Sequence, residues 1–172
     1  MVKDFIKPVV VLAAICLVVS GALAVVNDVT KPIIEEAAAG RMQEAMMAII
    51  PDAGGFEPII DSYDFPPSVI EAYGTANGAG YVFIVGSNGF GGQMSVICGV
   101  GNDGAIIQAK ALDHSETKGI GDYISNDADF LAQFAGKDSR FEGIDAVTGA
   151  SISFRAFKSA LEDALLAFDI VK

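Results

Sequence analysis

Residues 79–112 read AGYVFIVGSNGFGGQMSVICGVGNDGAIIQAKAL, and this stretch decides the fold. It contains three apolar runs, beginning near Tyr81, Met94 and Ala105, whose alternation is typical of β-strands. The two connections, SNGFGG and GNDG, are short and rich in glycine, so consecutive strands should turn back on themselves. We therefore predict an antiparallel meander of three strands.

Two shorter segments before this stretch are also predicted to be extended. They run from Phe56 to Ile60 and from Val69 to Tyr73, with the pair Pro66-Pro67 between them. Proline fixes φ and removes a backbone donor, which argues against a helix in this part of the chain.

Helical periodicity occurs in three places. Apolar residues recur near the helical period from Ile33 to Ile50, and a shorter helix is predicted from Asp127 to Ala135. The most regular helix begins near Ser151 or Ser153. Its apolar positions are Phe154, Phe157, Leu161, Leu165 and Phe168. The predicted fold class is thus α+β, an antiparallel sheet flanked by helices.

An apolar run near the N-terminus predicts a membrane anchor. The chain has 172 residues, 52% of them hydrophobic, and a net charge of −11, yet no Asp, Glu, Lys or Arg occurs from Pro8 to Val26. As a helix rising about 1.5 Å per residue, this run spans roughly the 30 Å hydrocarbon core of a bilayer. A cleaved signal peptide is the alternative, since Ala22-Leu23-Ala24 resembles a cleavage site. The run is longer than the roughly 7 to 15 residues of a signal core, which favours the anchor.

The flanking charges predict the orientation of this anchor. Lys3 and Lys7 precede the run, whereas carboxylates dominate after it, so the positive-inside rule places the N-terminus in the cytoplasm. The rest of the chain would lie on the extracytoplasmic side of the inner membrane after a single pass through the lipid. We expect three parts: 1–27, a cytoplasmic N-terminus and transmembrane helix; 28–55, a connecting helical segment; and 56–172, one folded domain.

Composition also excludes some classes of function. Nucleic-acid binding needs clustered Lys and Arg, and the exported portion is acidic instead. Cys16 lies in the apolar run and Cys98 in a predicted strand, so we expect no disulfide between them and interpret both as small buried hydrophobes. The single histidine, His114, has no second histidine or cysteine beside it to complete a metal site. We therefore predict neither a metal nor a nucleic-acid partner.

Two glycine-rich loops contain candidate binding residues. The segment from Asn88 to Gly92 is either a flexible hairpin loop or a place where the backbone approaches a flat ligand without Cβ atoms in the way. The segment from Asp113 to Gly121, DHSETKGIG, combines His114 with a carboxylate, a hydroxyl and an ammonium. It is either an ordinary loop or a hydrogen-bonding site for a polar heterocycle.

Residues 145–153, DAVTGASIS, place three hydroxyl groups at the start of the last helix. Ser and Thr satisfy the free N–H groups of a first turn, so helix capping is one interpretation. The other is a phosphate site, because free N–H groups and the helix dipole favour an anion there, while Gly149 and Ala150 leave room for it. A catalytic serine is a weaker alternative, since GxSxG spacing is absent.

Together these three segments resemble a known family. DAVTGASIS is similar to the flavinylation motif of FMN-binding domains, in which the hydroxyl after Gly-Ala is esterified to the phosphate of FMN. NGFGG and HSETKGIG resemble two further segments of that family, in the same order. With its apolar N-terminal run, the whole chain resembles the G subunit of Rnf ferredoxin:NAD oxidoreductase complexes, which is related to the C subunit of sodium-pumping NADH:quinone oxidoreductases.

The resemblance implies covalent FMN on Ser151 and no catalytic residue besides the cofactor. It also implies recognition of this segment by a magnesium-dependent flavin transferase, which takes FMN from FAD and releases AMP. The recognition residues would be Asp145, Thr148, Gly149 and Ala150, of which the last three would also contact the cofactor. The other implied cofactor-binding residues are Ser153, Glu116, Thr117, Lys118, Gly119, Gly121, Gly91, Gly92 and His114. The chain departs from the family at Ser151, where Thr is commoner, and at Lys118, where Pro is usual.

The implied function is electron relay in a complex that couples electron flow between ferredoxin and NAD to Na⁺ or H⁺ translocation. Partners would be the other membrane subunits, the flavin transferase and membrane lipid. Two alternatives stay open: a stand-alone exported FMN domain that transfers electrons, and an anchored module that binds a nucleotide or anion without redox chemistry. An exported serine hydrolase ranks last.

Overall fold

The computed structural model describes residues 2–172, in two compact units, of which the first ends at Gln43 and the second is Glu44–Lys172. Helix α1, Val2–Ile49, begins in the first unit and ends in the second. Within the described residues it is the one helix long and apolar enough to cross a membrane, over Pro8–Ile49, with a mean hydropathy of 3.0 in its most apolar window.

The predicted helix from Ile33 to Ile50 is the last part of α1 rather than a separate element. Pro32 lies inside α1 and does not end it, because a proline removes a single intrahelical hydrogen bond. Thr30 also stays within the helical pattern, since its hydroxyl donates to the Val26 carbonyl at 2.5 Å.

Five strands follow in the second unit and form one sheet. Their bounds are β1 Phe56–Pro58, β2 Val69–Thr75, β3 Gly80–Asn88, β4 Gln93–Gly101 and β5 Ile106–Asp113. The strand order is β1-β2-β3-β4-β5, and every neighbouring pair is antiparallel. The predicted meander is therefore confirmed as β3 to β5, and both shorter segments extend it. Ile60, predicted to be extended, instead begins a 3-10 turn, Ile60–Ser62.

Three helices follow the sheet: α2 Tyr123–Asn126, α3 Ala128–Ala132 and α4 Ser151–Val171. Helix α2 was not predicted, and α3 is shorter than the predicted segment from Asp127 to Ala135. Asp127 lies outside α3 as its N-cap, where its side chain accepts hydrogen bonds from the N–H groups of Asp129 and Phe130. The α+β class, a five-stranded antiparallel sheet with helices behind an apolar N-terminal helix, is confirmed.

One face of the sheet packs against α4. Phe83 of β3 and Val96 of β4 belong to the same buried cluster as Phe157 and Leu161 of α4, and all four side chains have 0% exposure. Burying a side chain of this kind contributes about 1.5–3 kcal/mol. The apolar stripe predicted for the last helix thus forms the main core.

The opposite face of the sheet is covered as well. Val82 and Ile84 alternate with Phe83 and point away from α4, yet both are buried. Ile49 and Ile50, from the part of the chain that belongs to the second unit, lie against Gly99 of β4. The sheet is therefore a middle layer between helical segments.

Candidate functional site

The first turn of α4 is the centre of the candidate site. Ala150 is the N-cap and makes no side-chain capping hydrogen bond, and the Phe154 N–H reaches the Ala150 carbonyl at 3.0 Å. The N–H groups of the first three residues, from Ser151 to Ser153, have no helical carbonyl to bind. One interpretation of the sequence was that Ser or Thr hydroxyls cap this helix. That interpretation is wrong, because the N-cap residue is Ala150 and the Ser153 hydroxyl donates to Glu116 instead.

A cavity of about 310 Å³ lies beside this helix start. It is lined by Phe90, Glu116, Thr117, Ile120, Gly121, Gly149, Ala150, Ser151, Ile152 and Ser153. These residues come from the β3–β4 loop, the loop after β5 and the start of α4, the three segments that sequence analysis singled out. The fold therefore brings all three to one place.

Glu116 and Ser153 are buried polar residues of the cavity wall, with 7% and 2% of their surfaces exposed. Oε2 of Glu116 accepts a hydrogen bond of 2.5 Å from the Ser153 hydroxyl, and its Oε1 accepts one of 3.0 Å from the Gly91 N–H. The carboxylate thus joins the β3–β4 loop to the first turn of α4.

The β3–β4 loop needs glycine because other parts of the protein pack closely against its backbone. A Cβ at Gly91 would stand 2.0 Å from the Ser115 carbonyl oxygen, so a side chain there would collide with the neighbouring loop. Gly92 has a φ of 126°, a conformation that side-chain-bearing residues rarely adopt. Gly91 and Gly92 stand behind the cavity wall rather than in its lining.

His114 is engaged within its own loop. Its Nδ1 accepts from the Glu116 N–H at 3.3 Å, and its Nε2 lies 2.9 Å from the Ser125 hydroxyl. That hydroxyl donates to the Asp122 carbonyl at 2.9 Å, so it can only accept from the ring. This pattern indicates a neutral imidazole protonated at Nε2, outside the cavity lining.

The remaining predicted residues of this loop differ in position. Thr117 and Gly121 line the cavity, whereas Lys118 and Gly119 are exposed and lie outside the lining. The Gly119 N–H donates to Asp122 Oδ1 at 2.7 Å, which closes the loop on itself.

The segment before α4 presents part of the predicted recognition surface to solvent. Asp145, Thr148 and Gly149 are exposed, whereas Ala150 is 4% exposed. The Asp145 N–H donates to the Gln133 side-chain oxygen at 2.8 Å and so ties this segment to the turn after α3. Asp145 and Thr148 lie outside the cavity lining.

Tyr123 forms a hydrogen bond with the residue that precedes α4. Its hydroxyl donates to the Ala150 carbonyl at 3.3 Å. Burial, and then the negative charge of Glu116, raise the pKa of Tyr123 to about 12, so the hydroxyl keeps its proton at neutral pH.

Three apolar residues of the lining were not predicted from the sequence. Phe90, Ile120 and Ile152 are 69%, 51% and 45% exposed, and together they form an apolar patch on the cavity wall. Each stands between two small residues, in Gly-Phe-Gly, Gly-Ile-Gly and Ser-Ile-Ser. The recurrence of one large apolar residue between two small ones in all three segments is the signal that could have found them.

Comparison with known proteins identifies the family. Residues 89–166 match the FMN-binding domain family, and this range contains all ten lining residues. The G subunit of the ion-translocating oxidoreductase complex of Methanosarcina acetivorans is 30% identical over 177 residues, which cover 95% of this chain and 94% of that protein. The chain belongs to the G-subunit family of ion-translocating oxidoreductase complexes.

Other members of the G-subunit family are similar over most of the chain. The protein of Shewanella piezotolerans is 29% identical over 194 residues, covering 98% of this chain and 92% of its own. The G subunit of the Na(+)-translocating ferredoxin:NAD(+) oxidoreductase complex of Acetobacterium woodii is 30% identical, covering 92% and 89%. A crystal structure of Shewanella oneidensis NqrC matches with a TM-score of 0.49 and 20% identity, over 62% of this chain and 64% of that one, slightly less than two thirds.

The cavity of this G-subunit family member fits FMN on two observations. Ser151 is exposed beside free N–H groups at a helix start, which suits a phosphate. The walls formed by Phe90, Ile120 and Ile152 suit a flat aromatic ring system. Within residues 2–172, no group of three or more His, Cys, Asp or Glu side chains is placed to hold a metal ion.

Proposed function

We propose that this chain is the electron-carrier subunit of a membrane-bound ferredoxin:NAD oxidoreductase complex, with FMN joined through its phosphate to Ser151. The observation that carries the proposal is the position of Ser151. It is the first residue of a 21-residue helix, its side chain is exposed, and it lies on the wall of the cavity. The family membership supplies the complex.

The first turn of α4 would hold the phosphate. The N–H groups of Ser151, Ile152 and Ser153 point out of the helix start, where the helix dipole stabilises an anion by about 0.3–1 kcal/mol. Arg155, one turn further, donates from Nε to the Ser151 carbonyl at 3.3 Å and adds a positive charge close to the same turn. These groups favour a phosphodiester at Ser151 without a lysine in the motif.

The loops would hold and shield the ring system. Bound FMN supplies reversible one- and two-electron redox chemistry. Phe90, Ile120 and Ile152 would exclude water from its faces, and Thr117 would offer a hydroxyl at its edge. Four other predicted loop residues would act from outside the lining, where they fix the loop conformations: Gly91, Gly92, His114 and Gly119.

Attachment would take place once, during maturation. The Ser151 oxygen attacks the phosphorus of the FMN half of FAD, the P–O bond to the AMP half breaks, AMP leaves and the serine proton passes to solvent. A flavin transferase would catalyse this step. Asp145, Thr148 and Gly149 are exposed for recognition, whereas buried Ala150 contributes the backbone conformation of the helix start.

The apolar part of α1 would anchor the chain in the lipid of the inner membrane. With the N-terminus in the cytoplasm, the FMN domain would lie on the extracytoplasmic side beside the other subunits. Coupling of electron flow to Na⁺ or H⁺ translocation would then be a property of the whole complex.

The test is the mass of the intact chain purified with its membrane complex. We expect an increase equal to FMN less one water, lost in Ser151→Ala and kept in Ser159→Ala, which changes another exposed serine of α4. Absence of the increase in the unsubstituted chain, or its persistence in Ser151→Ala, would overturn the covalent attachment. The Ser151→Ala chain should still assemble, while electron transfer between ferredoxin and NAD through the complex is lost.

A further inference from the structure

Both carboxylate oxygens of Glu116 are bound by the chain itself. Oε1 accepts from the Gly91 N–H at 3.0 Å, and Oε2 accepts from the Ser153 hydroxyl at 2.5 Å. Gly91 belongs to the β3–β4 loop and Ser153 to the first turn of α4, two of the three segments that form the cavity. Glu116 therefore joins two elements that the strand pairing does not connect.

We propose that Glu116 is a positioning residue that fixes the β3–β4 loop against the first turn of α4, and that it acts through the geometry of these two hydrogen bonds rather than through its charge. The proposal rests on the proposed function only in that the cavity so formed receives FMN. It gives Ser153 a role as well, since the Ser153 hydroxyl is the α4 end of the bridge.

The glycines on each side of Glu116 support this role. A Cβ at Gly89 would stand 2.1 Å from Glu116 Oε1, and a Cβ at Gly121 would stand 2.7 Å from Oε2 and 2.9 Å from the Ser153 hydroxyl oxygen. These distances are shorter than any ordinary non-bonded contact. The backbone therefore closes on the carboxylate from two directions and leaves it little freedom to move.

The backbone of Glu116 is held independently of its side chain. Its N–H donates to His114 Nδ1, and the ring of His114 is held in turn by Ser125. Tyr123 fixes the Ala150 carbonyl at the α4 end of the bridge. The Glu116 backbone and the α4 end of the bridge are thus both supported, and the length of the Glu116 side chain decides whether the bridge closes.

Two substitutions separate geometry from charge. Glu116→Gln keeps the length: the amide oxygen can accept from the Gly91 N–H, and the amide N–H can donate to the Ser153 oxygen. Glu116→Asp keeps the charge but is one methylene shorter, so it cannot reach both partners. If Glu116 acted by its charge, Asp would replace it better than Gln.

The first experiment needs no cofactor. In the full chain carrying Ser151→Ala, amide hydrogen exchange is measured at Gly91 and at Phe154, whose N–H groups donate to Glu116 Oε1 and to the Ala150 carbonyl. We expect Glu116→Asp and Glu116→Ala to accelerate exchange about fivefold, since one net hydrogen bond contributes about 1 kcal/mol and 1.4 kcal/mol is tenfold. Glu116→Gln should stay within about twofold of the parent. If Ala fails to fold, the comparison of Gln with Asp still decides.

The second experiment uses chains with Ser151 intact and measures the initial rate of FMN attachment by a flavin transferase with FAD. We expect Glu116→Asp to be slower by about fivefold and Glu116→Gln to keep at least half the rate, the same ranking as in the exchange experiment. Three outcomes would overturn the proposal. They are equal exchange in all variants, protection that is kept in Glu116→Asp but lost in Glu116→Gln, and protection that is lost in both. If the unsubstituted chain takes up no FMN, the proposed function fails while the exchange result still stands.

Discussion

Gly99 of β4 lies directly beneath Ile49 at the end of α1, and a Cβ on Gly99 would stand 2.3 Å from Cγ2 of Ile49. Overpacking a closely packed contact of this kind costs about 1–3 kcal/mol. We expect Gly99→Ala to lower the free energy of unfolding by that amount, measured by urea unfolding in detergent. Gly40→Ala is the comparison: a Cβ at Gly40 meets nothing within 4 Å, and alanine favours the helix there, so this variant should not be less stable than the parent. A Gly99→Ala chain as stable as its parent would show that Ile49 does not pack on this face.

Thr75 stabilises the turn between β2 and β3 through two hydrogen bonds. Its buried hydroxyl donates to the Gly80 carbonyl and accepts from the Gly80 N–H, both at 3.0 Å. Thr75→Val leaves two buried polar groups unsatisfied and should cost about 1–3 kcal/mol in unfolding free energy. Thr75→Ser keeps the hydroxyl and should lose less than half as much. Equal losses in the two variants would assign the effect to the methyl group instead.

The sheet and the last helix could be predicted because their information is local. Phe83 and Val96 belong to alternating runs, and Phe157 and Leu161 to a helical stripe, so each pattern appears within a few residues of sequence. The continuity of α1 was missed, because the apolar run and the helical pattern from Ile33 were interpreted as separate elements, whereas the helix continues through Pro32.

The three segments of the candidate site could also be predicted, but the contacts among them could not. Ser153 was interpreted as a cap because capping is the local option for a hydroxyl, whereas its partner Glu116 is 37 positions away. Phe90 was missed because an exposed loop position carries no periodic signal. Local patterns locate the segments, and the tertiary structure decides which side chains meet.

Tyr123 should make stability depend on alkaline pH. Folding raises its pKa from the ordinary value of 10.0 to about 12, so the folded chain keeps a proton that the unfolded chain releases. This contribution is fully present below pH 10 and is lost as the pH rises towards 12. Tyr123→Phe removes the hydrogen bond to Ala150, costing about 0.5–1.5 kcal/mol at pH 8.

Urea unfolding at about pH 8, 10 and 11.5 tests this dependence across the window between the two pKa values. The stability difference between the parent and Tyr123→Phe should shrink as the pH rises through the window. Burial also raises the pKa of Tyr73 and Cys98 to about 12, so Tyr123→Phe should retain part of the alkaline loss. A difference that is constant over the three pH values would contradict the prediction.

Phe90 should shield the flavin without stabilising the fold. Its side chain is 69% exposed, so Phe90→Ala should change the unfolding free energy by no more than about 0.5 kcal/mol. In the FMN-loaded chain, iodide quenching of flavin fluorescence should increase, because a wall of the cavity is gone. Leu166→Ala is the control: Leu166 is also exposed, at 55%, but lies outside the cavity lining. Equal quenching in parent and Phe90→Ala would remove Phe90 from the site.

The orientation of the N-terminal anchor in the membrane can be determined from the accessibility of a single introduced thiol. Cys98 is completely buried, which raises the pKa of its thiol to about 12, so it should not react with thiol reagents. In a Cys16→Ala chain, Ser139→Cys places a thiol on an exposed turn of the second unit. A membrane-impermeant maleimide should label this chain from the extracytoplasmic side, and labelling only after lysis would reverse the orientation.

The order of elements along the chain has a consequence for biogenesis. Each strand pairs with its neighbour in sequence, so the sheet can assemble hairpin by hairpin as the polypeptide emerges. Helix α4 follows every strand, and it supplies both the cover of the core and one wall of the cavity. A nascent chain with a complete sheet therefore still lacks the first turn of α4, which begins at Ser151. Cofactor loading at that serine would thus distinguish mature molecules from those still being made.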